Sequence, residues 1–488
     1  MKTSSVKIGF IPTNRGFFDA KLASQMRREV IDVVGPMDME LVVPHEEQTK
    51  MGCVETIRDA EICADLFRKE DVDGILIAAV NFGSEQGVAW TIKKAGLDVP
   101  IMIFACQEEA ALTLETKRRD AFCGLLSIAD VLRQLGVKYS VAPCPIGFPR
   151  EESFRDAMKW FVGVCRVVGK VKVARYGQIG ARPDAFWTCR FDERKLQRLG
   201  PTTVTLDLSE VIAGVEKLSD GDRGVKATLS SIAEYADTSG VGKAAILKFA
   251  KLETFLVNWG AENAIDAFAI QCWTSIERNM GICPCTTMSR LAEMGIPAAC
   301  EADILGALSM HALQLAGEQP AALADWNNLH NEDDDLVNLW HCGVFPKSFS
   351  KDQPELGIHS IFPAAGAATE EQSHGVVNLV AKASPATLTR VTQDGNGQWK
   401  ALIVEGFFEE NPACTAGSYG WCRIKNLPQL YRDTLLRHFP HHVAVSQVHV
   451  GNILWEVFGN YLELAVYHPG QGQSGVYEPE LPFLNPSN

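Results

Sequence analysis

The first 105 residues alternate between short apolar runs and stretches of helical period, and few folds accept that pattern. Residues 6–12, 40–44, 74–80 and 99–105 read as strands; 17–34, 54–68 and 85–94 read as helices. Strands and helices alternating through short polar turns build a doubly wound parallel sheet. Ligands of such sheets collect in the loops at the carboxyl ends of the strands. Here those loops are Thr13-Asn14-Arg15-Gly16, Asn81-Phe82-Gly83-Ser84 and Gln107-Glu108-Glu109. None has a GxGxxG or Walker pattern, so nothing indicates a nucleotide. Arg15 is either a surface arginine or a clamp for an anion or for hydroxyl groups, and Asn81 heads a second loop that can touch ligand.

A long helix over 154–168 precedes a second alternation. Strands are expected at 170–176, 203–207 and 267–271, with helices over 208–218 and onward from Gly224 and Gly242. Gly177-Gln-Ile-Gly180 permits a tight turn and is too short to mark a phosphate site. The strand at 267–271 ends in Gln271, followed by Cys272 and Trp273, which offer a hydrogen bond and an apolar wall. Residues 286–294 read as a further helix, and 296–300 as a buried strand ending in Glu301. Residues 321–324 read as another ending in Asp325, with Ile304, Leu305, Leu308, His311, Ala312 and Leu315 at helical spacing between them. In one parallel sheet this strand–helix–strand unit delivers two carboxylates to neighbouring strand ends. Such a pair can share a divalent cation or act as acid and base. The alternative is that each acid only caps the element that follows it.

Beyond residue 328 the helical period fades and turn-rich β segments take over, at 336–340, 387–390 and 400–405. The stretch 347–373 reads as loop, and a helix over 427–437 leads into 439–451. The tail after Tyr467 reads as a polar loop or a partner-contacting arm. The expected layout is two doubly wound α/β domains, 1–165 and 166–330, followed by a β-rich, barrel-like domain, 331–488. Five of the eleven histidines fall between 438 and 468. On a strand His441 and His442 point to opposite faces, so one of them can join a given metal. An imidazole beside two carboxylates suits Mn²⁺, Co²⁺ or Mg²⁺ rather than a thiolate metal.

Composition narrows the function further. A chain of 488 residues accommodates about three domains of the usual size. With 46% hydrophobic and 22% charged residues it has the makeup of a soluble protein with ample core. A net charge of −14 without a basic block argues against nucleic acid and anionic membranes as partners. No apolar run approaches the ~18 residues of a membrane span. The amino terminus enters a strand without an export signal, so the expectation is a cytoplasmic protein whose 14 cysteines stay reduced.

Three features together resemble the L-fucose isomerase/L-arabinose isomerase group of metal-dependent aldose–ketose isomerases. Glu301 stands 24 residues before Asp325 in a strand–helix–strand unit. The segment His441-His-Val-Ala-Val-Ser-Gln-Val-His449-Val-Gly looks like the closing motif of the group, and Lys7-Ile-Gly-Phe-Ile-Pro12 followed by an arginine is similar to its opening. The resemblance implies that Glu301 and Asp325 bind Mn²⁺ and serve as acid and base, with His442 as third ligand. It also implies that Arg15 reaches sugar hydroxyls in a neighbouring subunit's site, within a homo-oligomer, trimer or hexamer. Two departures stand out: His441 where the group has Asn, and His341-Cys-Gly-Val-Phe-Pro-Lys347 where it has a serine-rich turn.

The chemistry so implied is a cis-enediol proton transfer on a sugar. Gln271, Trp273, Asn81, His341, His441 and His449 are the further candidates for contact with that sugar or with the ligand shell. Arg390 and Lys347 sit at loop edges of the β-rich part. If both line the pocket, they point to an anionic sugar, a sulfo- or phospho-sugar such as sulfoquinovose; the alternative is a neutral sugar of the L-fucose, D-arabinose or L-arabinose type. The rival class is a sugar-binding sensor without catalysis, and the rival enzyme is a metal-dependent lyase or aldolase using the same enediolate.

Overall fold

The strand–helix alternation at the amino end is realised as one parallel sheet. The computed structural model describes residues 5–109, 111–410 and 415–468, so the carboxyl-terminal arm from residue 471 lies outside the described residues. The chain forms two compact units: one takes the residues up to Gly169 with Gly459–Glu463, the other Lys170–Phe458 and the segment from Leu464.

In the first unit five parallel strands are ordered Met39–Val42, Val6–Thr13, Gly74–Ala79, Ile101–Cys106 and Ser140–Gly147. Every residue of Gly74–Ala79 and Ile101–Cys106 is buried, as expected for strands covered on both faces. The helices Ala20–Val34, Ile57–Glu70 and Glu85–Ala95 open on side-chain caps from Asp19, Thr56 and Ser84, which satisfy amides that a helix start leaves bare. The strand order reverses at Val6–Thr13, so the loops after it and after Gly74–Ala79 flank a topological switch point.

The second unit holds two sheets. A parallel one runs Thr202–Leu206, Arg175–Ile179, Ala267–Ile270, Ala298–Ala299. Its second strand begins later than the sequence suggests, because Val164, Val167, Val168 and Val171 continue a buried stripe that carries the preceding helix to Val171. Gly177 therefore lies inside the strand, and the turn falls on Gly180 at φ +76°.

The other sheet closes on itself. Ser418–Arg423, Leu336–His341, Ala321–Leu329, His442–Ser446, Ser384–Gln393 and Trp399–Phe408 follow one another antiparallel. Phe407 and Phe408 pair back to Arg423 and Cys422, completing a six-stranded barrel. Closure removes both sheet edges within the ring. The helix Ile304–Gly317, apolar nearly all round and buried, touches both sheets. Its Ser309 Oγ accepts from Val391 N at 2.9 Å, and its His311 Nδ1 lies 3.4 Å from the Tyr176 hydroxyl.

This topology corrects one expectation. Glu301 and Asp325 do not end neighbouring strands of one parallel sheet. Glu301 follows Ala298–Ala299 of the parallel sheet, whereas Asp325 lies inside the barrel strand Ala321–Leu329. The chain leaving the helix pairs antiparallel on both sides, with Leu336–His341 and His442–Ser446, and never joins the parallel sheet.

Candidate active site

Two different devices bring the acids together. On the parallel-sheet side Glu301 (φ +60°) and Ala302 (φ +52°) are both left-handed, a conformation that non-glycine residues adopt at a cost. The turn is locked by Ala302 N donating to Ile270 O and Asp303 N donating to Cys300 O, each at 3.0 Å. It ends on Asp303, which caps the helix by accepting from Gly306 N at 2.9 Å. On the barrel side the device is strand register: Asp325 stands directly opposite His442. Paired residues of adjacent strands share a face, so both side chains leave the barrel wall together.

Asp303 ties the two sides. Its Oδ2 accepts from His442 Nδ1 at 2.8 Å, and Arg390 grips both of its oxygens, Nη1 to Oδ2 at 2.5 Å and Nη2 to Oδ1 at 3.1 Å. Asp303, Arg390 and His442 are all at most 1% exposed. With Nδ1 occupied, His442 presents Nε2 to Glu301 Oε2 at 3.4 Å and to Asp325 Oδ1 at 3.6 Å. His441 Nε2, on a more exposed ring, stands 3.7 Å from the same Asp325 oxygen.

The electrostatics follow from this burial. Desolvation pushes Glu301 up to about 7, with Asp325 and Asp303 adding to the rise and His442 opposing it. Desolvation raises Asp325 to about 6, again against His442. Burial also works to raise Asp303, but Arg390 and the His442 hydrogen bond overcome it and hold this carboxyl well below the usual range. Burial disfavours charge on His442, and the Asp303 contact more than reverses that, keeping the imidazole basic.

His341 closes the group. Asp325, His341 and His442 each place a ligand-capable atom within 4.8 Å of the others, and so do Cys189, Glu301 and His442. His341 Nδ1 accepts from Cys342 N at 2.9 Å, which puts the proton of the neutral ring on Nε2. Burial and the neighbouring histidines keep that ring neutral. His341 Nε2 is therefore a donor, not a ligand.

The residues fit a divalent cation. Asp325 Oδ1, His341 Nε2 and His442 Nε2 are buried without a hydrogen-bond partner among the described residues. A cation would relieve the desolvation cost at Asp325 Oδ1 and His442 Nε2, and an oxygen acceptor the cost at the His341 Nε2–H. The Asp303–His442 contact is the carboxylate–histidine arrangement that orients metal-binding imidazoles.

The remaining sequence candidates are placed as follows. Gln271 Oε1 accepts from Ala181 N at 2.9 Å and braces the turn after Gly180. Trp273 packs edge-on against Phe362 and Phe186, with ring centroids 4.5 and 5.6 Å away. His449 Nε2 meets Gly406 O at 2.9 Å. The Lys347 ammonium donates to Glu234 O at 2.9 Å, near the Tyr235 ring. In the first unit, at the switch point, Asn81 donates to Asn14 Oδ1 and accepts from Arg15 N and Gly83 N. Arg15 lies over Phe82 and pairs with Glu85. Asp303 and Cys189 were not singled out from sequence. Asp303 carried one signal, an Asp directly before a helical run, which reads as a cap. Cys189 carried none, because only the short turn Trp187–Cys189 brings it beside Glu301 and His442, at 4.0 and 3.8 Å.

The profile described as fucose/sulfoquinovose isomerase, N-terminal domain, matches residues 9–172, and that described as L-fucose isomerase, C-terminal domain, matches residues 339–468. Together they take in more than half of the chain. The chain thus belongs to the fucose isomerase family, and its enzyme class is that of an aldose–ketose isomerase. Among its relatives are the sulfoquinovose isomerases of Priestia aryabhattai and Priestia megaterium, each 23% identical over 81% of this chain and 84% of theirs. The sulfoquinovose isomerase of Alkalicoccus urumqiensis is 25% identical over 72% of this chain and 76% of its own. An ABC transporter solute binding protein from Burkholderia multivorans covers 64% of this chain and 94% of its own at 10% identity, with a TM-score of 0.17, too low to carry an argument. No described helix is long and apolar enough to cross a membrane.

Proposed function

We propose that this enzyme interconverts an anionic aldose of the sulfoquinovose type with its ketose, using a divalent cation, Mn²⁺ by preference, held by Glu301, Asp325 and His442 Nε2. The observation that carries the reading is the His442 imidazole, fixed by Asp303 at Nδ1 and left bare at Nε2 between two carboxylates. The relatives named sulfoquinovose isomerase support the substrate. When bound, the cation supplies Lewis acidity toward two adjacent sugar oxygens.

The chain's own groups do the rest. One of the two carboxylates, Glu301 or Asp325, takes the proton from C2 to give a cis-enediol and returns a proton to C1, while the other moves the hydroxyl proton between O2 and O1. His341 Nε2–H donates to a sugar oxygen. Asp303 and Arg390 touch no substrate; they hold the His442 ring in place. Arg15 and Asn81 serve a neighbouring subunit's site within a cytoplasmic trimer or hexamer.

The test is proton exchange at C2 in D₂O, followed by NMR with Mn²⁺-loaded protein on sulfoquinovose, glucose and L-fucose. Exchange and ketose formation are expected with sulfoquinovose, falling roughly 10²–10⁴-fold in Glu301→Gln. Turnover of the neutral sugars alone would replace the anionic substrate by a neutral one. Exchange that survives Glu301→Gln undiminished would remove the mechanism.

A further inference from the structure

An anionic sugar needs a cation for its far end, and neither cation singled out from the sequence is available for that task. Arg390 is committed to Asp303, and Lys347 to the end of the helix Arg223–Tyr235. Beside the catalytic cluster, however, lies a cavity of about 170 Å³ lined by Gln178, Arg182, Cys189, Arg190, Phe191 and Ala302. Two of its walls are walls of the catalytic cluster too. Cys189 Sγ touches Glu301 and His442, and Ala302 is the residue after Glu301.

We propose that Arg182 and Arg190 form the subsite for a terminal tetrahedral oxyanion, a sulfonate or phosphate, borne on the carbon of the aldose farthest from its carbonyl. This rests on the isomerase reading above and names the residues that select its substrate. Both arginines lack a carboxylate partner among the described residues, unlike Arg15, Arg27, Arg119, Arg290 and Arg423. Arg182 spends Nη1 on the carbonyls of Pro183 and Asp184, at 2.5 and 3.2 Å. Nε and Nη2 make no hydrogen bond to the described residues, and a guanidinium has five donors in a fork that matches an oxyanion. Arg190 Cζ lies over the Trp187 ring, 4.0 Å from its centroid, a cation–π contact that uses none of its N–H donors in a hydrogen bond.

Each arginine is placed by the backbone that also builds the site. The turn before Arg182 pivots on Gly180, where a Cβ would fall 2.4 Å from Gln271 Oε1, and Gln271 holds the next amide. Arg190 ends the turn that carries Cys189. Binding the far end of the substrate fixes where its reacting carbons lie, so this contact contributes to turnover as well as to affinity.

The experiment compares wild type with Arg182→Ala, Arg190→Ala, the double variant and Arg182→Lys. Steady-state kinetics are run on sulfoquinovose, glucose 6-phosphate and glucose, with Mn²⁺ titration as the control for an intact fold. The double variant is expected to lose roughly 10²-fold in the ratio of kcat/KM for the anionic sugar to that for glucose, through both KM and kcat, with Arg182→Lys between it and wild type. Whichever of the sulfonate and the phosphate wild type prefers names the oxyanion. An unchanged ratio in a double variant that still binds Mn²⁺ overturns the subsite and leaves the isomerase reading standing. Wild type that acts on glucose and on neither anionic sugar overturns the anionic-substrate reading, and the subsite with it.

Discussion

A cluster of polar side chains beside the amino-terminal sheet and another at the barrel wall have opposite hydrogen-bond balances. At the switch point of the amino-terminal sheet, Asn14, Arg15 and Asn81 satisfy one another and the backbone around them. In the second unit, Asp325, His341 and His442 each leave a buried atom unmatched. The first is a finished structure that can present a residue outward. The second leaves donor and acceptor capacity that a ligand can use. Hydrogen-bond debt, more than the number of polar residues, separates a site from a well-made loop.

The comparison breaks first at Asp303, the residue that creates the imbalance. Asp303→Asn leaves Arg390 buried without its counter-charge and replaces the charged acceptor of His442 Nδ1 by a neutral amide. A stability loss of about 3–5 kcal/mol is expected from denaturant unfolding, with Mn²⁺ affinity down roughly 10–100-fold. Retained affinity would mean that His442 needs no orientation from behind.

A second effect of similar size depends on pH. Burial raises Glu277, near Trp273 and clear of the metal ligands, to about 8. The folded state then holds a proton that the unfolded chain releases near 4.5, so stability falls as pH rises from about 4.5 to about 8. The loss is on the order of 5 kcal/mol. Glu277→Gln should flatten that part of the stability–pH curve; a wild-type curve already flat there would contradict the shift.

Gly306 gives a smaller change. A Cβ on it would fall 2.8 Å from Asp303 Oδ2 and 3.0 Å from Leu323 Cδ1. Gly306→Ala should therefore cost about 1–3 kcal/mol, less the ~1 kcal/mol by which Ala favours a helix, and weaken Mn²⁺ binding with it. Arg15→Ala is the smallest perturbation of the folded chain. Its half-exposed pair with Glu85 is worth about 0–1 kcal/mol, and Mn²⁺ binding should not change. A fall in kcat/KM with stability intact would place Arg15 at a substrate; no kinetic effect would leave it a surface pair.

These contrasts also explain what the sequence made legible. Glu301 and Asp325 stood out because apolar runs end in them, a local pattern, and His442 through its histidine-rich segment and the motif that segment resembles. The pairing of Asp325 with His442 is not local: it depends on the register between strands far apart in the chain. The same gap assigned Asp325 to a parallel sheet, since Ala321–Ala324 is equally apolar in either setting. Asp303 was hidden by its other task, as the cap of the helix Ile304–Gly317. Arg182 and Arg190 lie in a segment without periodicity, and only the folded turns after Arg175–Ile179 show that they face a cavity.

The most direct test of the account is a calorimetric Mn²⁺ titration of metal-stripped protein, wild type against His442→Ala and Asp325→Asn. The account predicts one Mn²⁺ per chain in wild type and loss of that site in both variants, with the fold retained by circular dichroism. One Mn²⁺ bound as tightly by the variants as by wild type would place the cation elsewhere and contradict it.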